Sequence, residues 1–161
     1  MTAESAERGE GPCIWVDADA CPKSVKEVLF KAARRTGLEM TLVANHAMPV
    51  PKLASVRLIQ VPGGFDVADD EILERVTKGD LLITADIALA HEVLKRGAQV
   101  ISPRGEPFTM DTIEAKRTMR DFMDTMRGSG VHTGGPPPLD ATDKRVFANA
   151  LDRWLARATR A

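Results

Sequence analysis

Asp17 and Asp19 close an apolar run, Cys13-Ile14-Trp15-Val16, and a second run, Leu81-Leu82-Ile83-Thr84, leads into Asp86. Two predicted strands thus bring carboxylates to their C-terminal ends, the edge at which open α/β sheets place ligand sites. A carboxylate beyond a strand is free to bind a cation or exchange a proton, whereas one within it needs a buried partner to offset desolvation. Asp17 and Asp19 share a face if the strand runs on, because side chains alternate with a period of two. Asp69 and Asp70 fall near the first turn of a predicted helix and can close the same site. Hard oxygen donors suit Mg²⁺ or Mn²⁺, and metal-assisted phosphodiester cleavage needs several carboxylates to hold ions that activate water and neutralise developing charge. Asp17, Asp69, Asp70 and Asp86 are therefore the candidate metal ligands, and Asp17, Asp19 and Asp86 the candidate catalytic groups. Thr84 is placed to orient Asp86 through a hydrogen bond.

Ordinary structure can explain each aspartate singly. Asp19 and Asp86 can cap the helices that follow them, and Asp69 and Asp70 can complement a helix dipole. The set as a whole favours a metal cluster over coincidental capping, since strand ends are where sites are expected. A DxD after an apolar strand also opens haloacid-dehalogenase-type phosphatases, with a nucleophilic first Asp and an acid/base second. Thr84 and Lys95 can mimic their middle elements, but the acidic pair Asp69-Asp70 precedes Thr84, and that order counts against a phosphomonoesterase.

The elements that must position these residues alternate. Pro22 opens a helix whose apolar stripe, Val25, Val28, Leu29 and Ala32, runs to Gly37. Strands are predicted over Met40 to Ala44 and Val56 to Val61, then a helix capped by Asp66 and stopped at Gly79. The grammar repeats as strand Asp80 to Ala85, helix Ile87 to Arg96 and strand Gln99 to Ser102. Strand-helix alternation with short links implies an α/β fold with a mostly parallel central sheet flanked by helices. Two amphipathic covering helices follow: Asp111 to Met126, through Ile113, Met119, Phe122 and Met126, and Ala141 to Ala158, through Val146, Phe147, Leu151, Trp154 and Leu155. Between them a Gly/Pro-rich loop, Gly128 to Pro138, is long enough to be functional or disordered.

With 161 residues the chain has the size of one domain, expected over 11–161 behind a disordered leader at 1–10 that resembles neither a signal peptide nor a membrane span. No apolar stretch approaches the roughly 20 residues of a membrane helix, so a cytoplasmic protein without membrane contact is expected. The formal charge of −1, from 22 basic and 23 acidic residues, argues against a uniformly basic nucleic-acid binder and leaves room for local patches. Cys13 and Cys21 form neither a redox pair nor a zinc pattern and read as reduced thiols. Lys23, Lys26, Lys31 and Arg34 form a basic helix face, for which solvation is the commoner explanation, although Lys23 is placed to contact substrate. His132 and Arg127 are further candidate substrate contacts. For His46 and His91 exposed polar roles are the expectation, and Trp15 and Trp154 are expected in the core.

Three strings, Val16-Asp17-Ala18-Asp19-Ala20-Cys21-Pro22, the segment from Val61 to Asp69, and Leu82-Ile83-Thr84-Ala85-Asp86-Ile87-Ala88-Leu89-Ala90, resemble the YaiI/YqxD family of uncharacterised bacterial proteins. The likeness continues through Gly128 to Pro138 and Asp143 to Phe147, covering nearly everything after the leader. The resemblance implies a three-layer PIN-like domain, whose catalytic members are Mg²⁺- or Mn²⁺-dependent nucleases with acidic residues at the ends of central strands. Asp17 matches the first such position and Asp86 the later one. Asp69 or Asp70 stands where PIN nucleases often have Glu, and Asp19 is an addition. The expected function is metal-dependent phosphodiester hydrolysis with nucleic acid, RNA above DNA, as partner. A non-catalytic RNA-binding or protein-interaction module and a phosphomonoesterase are the alternatives, and a homo-oligomer is compatible with all of them.

Overall fold

A computed structural model describes residues 11–64, 66–116, 118–119 and 139–159. The expected leader, Arg127, His132 and the Gly/Pro-rich loop lie outside the described residues, as do Phe122 and Met126. The first strand, β1, spans Ile14–Asp17 and runs into a single 3-10 turn, Ala18–Ala20. Next come α1 (Lys23–Thr36), β2 (Met40–Ala44), β3 (Val56–Gln60) and α2 (Val67–Arg75). The remainder is β4 (Leu81–Ile83), α3 (Ile87–Lys95), β5 (Gln99–Ile101), β6 (Pro107–Phe108), a helical stretch over 110–116, and α4 (Ala141–Ala158).

The strands make one six-stranded sheet in the order β3-β2-β1-β4-β5-β6. All pairings are parallel except β5 with β6. The mostly parallel three-layer α/β reading therefore holds. A sheet covered on both faces needs apolar side chains in both directions, which is why its strands are continuous apolar runs rather than alternating ones. Ile14, Val16, Leu42 and Ile83 pack beneath α1 and α4, meeting Val25, Leu29, Phe147 and Trp154. Trp15, Val43, Leu82 and Val100 point to the other face, onto Ile72 of α2, Leu89 and Val93 of α3, and Ile113. Both tryptophans are core residues, as expected. Met119 and Val146, assigned to apolar stripes, are instead 60% and 43% exposed. None of the described helices is long and apolar enough to cross a membrane.

Several local expectations need correcting. α2 stops at Arg75 rather than near Gly79, because the Asp80 carboxylate takes the Thr77 backbone N–H (2.9 Å) and hydroxyl (3.2 Å). A side-chain acceptor of this kind competes with the next helical turn for the same N–H. Asp66 occupies the N-cap position, but in a left-handed conformation (φ 62°) with no capping hydrogen bond from its side chain. Strand β6 was not anticipated; its Pro107 is tolerated because the strand has a neighbour on only one side.

The turn between β5 and β6 is fixed from within and without. Ser102 Oγ accepts from the backbone N–H groups of Arg104 and Glu106, both at 3.2 Å. Gly105, at φ 88°, brings its backbone so close to α4 that a Cβ there would lie 2.6 Å from Phe147 N. Arg104 adds an ion pair to Asp143 in the first turn of α4, at 3.1 Å. Asp143 also completes a capping box with Asp140. The last helix is thus seated backbone against backbone on a turn about forty residues earlier.

At the opposite, N-terminal end of β4, Asp80 is 1% exposed. It accepts from Cys13 N and Trp15 Nε1, each at 2.9 Å, in addition to both Thr77 donors. One carboxylate thereby ties the start of β4 to β1. No role for Asp80 was evident in the sequence.

Candidate functional site

The strand order reverses between β1 and β4: from β1 the chain moves outward to β2 and β3, then returns to β4 on the other side. Connections leaving the two strands diverge, opening a crevice at their C-terminal ends. Asp17 is the last residue of β1, and Asp86 is the N-cap of α3, immediately after β4. They line one cavity of about 330 Å³ with Ala20, Ala85 and Ile87. The two aspartates that the apolar runs pointed to therefore meet.

Thr84 is the link between them. Its buried hydroxyl donates to Asp17 Oδ2 at 2.8 Å and accepts from the Asp86 backbone N–H at 3.0 Å. Thr84 thus reaches Asp86 through the backbone, and the carboxylate it holds is that of Asp17. Asp86 uses Oδ1 to accept from Leu89 N at 3.1 Å, so it caps α3 as the ordinary reading required. Among the described residues no donor meets its other oxygen, which keeps a second role open.

Asp69 lies in the first turn of α2, half-buried. Burial is the largest influence on it, and the charges of Asp86, Asp17, Asp66 and Asp70 add to it, pushing its carboxyl up to about 6. Asp17 is likewise raised above the ordinary aspartate value, by burial first, with the Thr84 hydrogen bond opposing and Asp86 and Asp19 reinforcing. Mutual repulsion places Asp17, Asp69 and Asp86 in one electrostatic cluster, with the exposed Asp70 at its margin.

Raised carboxyls fix the sign of a pH effect. The unfolded chain releases the Asp69 proton near 3.8, while the folded chain holds it until about 6. Between those values rising pH favours the unfolded chain, and the penalty persists above them. The melting temperature of the wild type should fall across this window relative to Asp69→Asn, as thermal melts at stepped pH will show. A constant difference between the two proteins would contradict the clustering.

Asp19 is turned away from this cavity. Its Oδ1 lies 2.8 Å from His46 Nδ1, and its Oδ2 accepts from Asn45 N at 2.8 Å, so it holds the loop after β2. His46 is exposed as expected, but it is paired rather than idle. The expectation of an exposed His91 is corrected. The residue is 8% exposed, because its helix face packs toward the 110–116 stretch, where Glu114 lies 3.2 Å from Nε2. Lys23 is exposed at the first residue of α1. Both cysteines are buried, and neither is in a disulfide. Burial pushes the Cys21 thiol up to about 12, with Lys26 opposing and Asp17 adding to the rise, which leaves it inert at neutral pH.

Among the described residues, no group of three or more His, Cys, Asp or Glu side chains is arranged to hold a metal ion. The donor chemistry is nonetheless all oxygen, and the charges bearing on Asp17 and Asp69 are other carboxylates. Mg²⁺ keeps several waters and is commonly held by one or two carboxylates, so Asp17 and Asp86 fit such an ion without a closed cage.

A wider cavity of about 610 Å³ adjoins the acidic one and shares Ala20, Ala85 and Ile87 with it. Its remaining walls include Pro22, Pro103, Phe108, Arg104 and Lys116. Sequence reasoning missed it, since these residues come singly from separate elements and form no motif.

A family model described as "Uncharacterized BCR, YaiI/YqxD family" matches residues 15–157. A "UPF0178 protein" of Aliivibrio fischeri strain ES114 is 63% identical over 145 residues, covering 90% of this chain and 97% of its own length. A relative with the same description from Vibrio atlanticus is 60% identical over 144 residues, 89% of this chain and 98% of its own. One from Xanthomonas campestris pv. campestris is 59% identical over 144 residues, 89% of this chain and 90% of its own. No solved structure matches the chain.

Proposed function

The chain belongs to the YaiI/YqxD family, and from its acidic switch-point cleft we propose that it is a Mg²⁺- or Mn²⁺-dependent hydrolase of phosphodiester bonds, with RNA as substrate. What supports it is that Asp17 and Asp86 line one cavity with Asp69 near enough to feel both charges; burial first, and neighbouring carboxylates after it, raise the carboxyls of Asp17 and Asp69. Such a cluster is costly without a cation, and a cation is what a phosphodiester substrate also needs beside it. The PIN-like resemblance supports the same reading, because PIN nucleases carry acids at the ends of central strands.

Asp17 and Asp86 would hold the ion, with Asp69 and Asp70 at its outer side. A bound Mg²⁺ or Mn²⁺ supplies charge neutralisation at phosphate and makes water more acidic. The protein's own residues do the rest. Thr84 fixes the Asp17 carboxylate in one orientation by its 2.8 Å hydrogen bond. Asp69, whose carboxyl is pushed up by burial and then by neighbouring carboxylates, would take the proton that water loses as its oxygen joins phosphorus, while the leaving sugar oxygen, as its bond to phosphorus breaks, takes a proton from solvent. Asp19, engaged with His46 and Asn45, shapes the rim on the β2 side.

The test is incubation of the purified protein with single-stranded RNA in Mn²⁺, in Mg²⁺ and in excess chelator. Cleavage should require the metal and disappear with chelation. The rival reading, a non-catalytic RNA-binding module, draws on the cap that Asp86 provides for α3 and on the lack, among the described residues, of a three-ligand group. RNA left intact in either metal, with no cleavage of DNA, would decide for that rival.

A further inference from the structure

We propose that the 610 Å³ cavity beside the carboxylates is the seat of a single unpaired nucleotide, the one next to the phosphate that lies at Asp17 and Asp86. The inference rests on the phosphodiesterase reading and adds to it where the substrate lies and which part of it is recognised.

Three observations carry it. First, the two cavities share Ala20, Ala85 and Ile87, so they are compartments of one cleft along the carboxyl edge of the sheet. A ligand with its phosphorus in the acidic compartment has its next group in the wider one. Second, the walls of the wider compartment include the apolar Pro22, Ile87, Pro103 and Phe108, and its volume is in the range of small-ligand sites. Aliphatic and proline walls take the place of the stacking tyrosines that this chain does not have. Third, the same compartment carries two cations whose positions are fixed. Arg104 is held by Asp143 at 3.1 Å, and Lys116 by Glu106 at 2.9 Å, with its ammonium 5.6 Å from the centre of the Phe108 ring. The cleft therefore combines carboxylates that call for a metal-bridged phosphate with a neighbouring apolar slot that also carries two cations suited to a second anion.

Phosphate, base with sugar, phosphate is the repeat of a nucleic-acid strand, and a plain apolar metabolite lacks both anions. In a duplex the base faces its partner inside the stack and cannot enter a concave slot, so the nucleotide must be unpaired.

The experiment compares a short fluorescent single-stranded RNA with the same strand made abasic throughout, by fluorescence anisotropy at fixed salt. The intact strand should bind about tenfold tighter or more, the scale of a seated base. Ile87→Glu should erase that difference. The substitution opens α3 with an acidic residue, which suits a helix N-terminus, and a thermal melt checks that the partly buried site still folds. Met119→Glu, at a position 60% exposed, provides a second blocked slot. Equal binding of intact and abasic strands, a preference untouched by both variants, or no binding of either strand overturns the proposal. Cleavage of RNA in Mn²⁺ that is indifferent to the base overturns the slot while leaving the phosphodiesterase standing.

Discussion

Asp17→Asn is expected to lower metal-dependent hydrolysis of RNA by at least about a hundredfold, beyond the 10–100-fold typical of residues that only support a metal ligand. The substitution removes the charge that a cation would meet and leaves the shape unchanged. The amide oxygen of Asn can still accept from Thr84 Oγ, which now donates to Asp17 at 2.8 Å. Loss of the carboxylate also relieves Asp69, on which Asp17 is one of the neighbouring charges. The variant should therefore melt at the wild-type temperature or above it while its activity collapses. Initial rates in Mn²⁺ and parallel thermal melts read the two quantities separately. Equal rates for the two proteins would remove Asp17 from the chemistry. A lowered melting temperature would instead make it a structural carboxylate.

The reverse pattern is expected of Asp80→Ala. Asp80 is 1% exposed and receives Cys13 N, Trp15 Nε1 and both donors of Thr77. The alanine removes the Asp80 acceptor of the Cys13 amide and the Trp15 indole, and a buried donor that loses its acceptor costs about 1–3 kcal/mol. A loss of about 3 kcal/mol or more follows, a large share of the 5–15 kcal/mol typical of a domain. Urea titration should show the midpoint falling, and Asp80→Asn, with one acceptor oxygen kept, should fall less. Because Asp80 stands at the far end of β4 from Asp86, the folded fraction should keep its activity. A midpoint within experimental scatter of wild type would mean that water reaches these donors.

The contrast between the two aspartates shows what local sequence can convey. Asp17 and Asp86 were legible because each follows an apolar run, and such a run ending in a carboxylate marks a strand end whatever the partner strand is. That β1 and β4 are neighbours was not legible, since strand order depends on how connections cross the sheet. Asp80 also borders an apolar run, at its start rather than its end, and its partners Cys13 and Trp15 are more than sixty residues away. Asp19 shows the same limit at shorter range. Its spacing from Asp17 suggested a shared task, whereas the fold hands it to Asn45 and His46 on β2's side. Asp66 had the residue type of a cap, but its backbone entered the left-handed region, and the side chain then had no helix N–H to accept. The apolar cavity needed the whole sheet edge to be assembled before its walls faced one another.

Strands β1 and β4 are joined at both ends, by Asp80 to Cys13 and by Thr84 to Asp17, each bond spanning 67 residues. A chain emerging from the ribosome makes its N-terminal strand first and must wait for the second half of that pair. Until β4 has been synthesised and zipped into place, Asp17 has neither Thr84 to aim it nor Asp86 beside it. The acidic edge of the sheet is thus absent until both strands are in place.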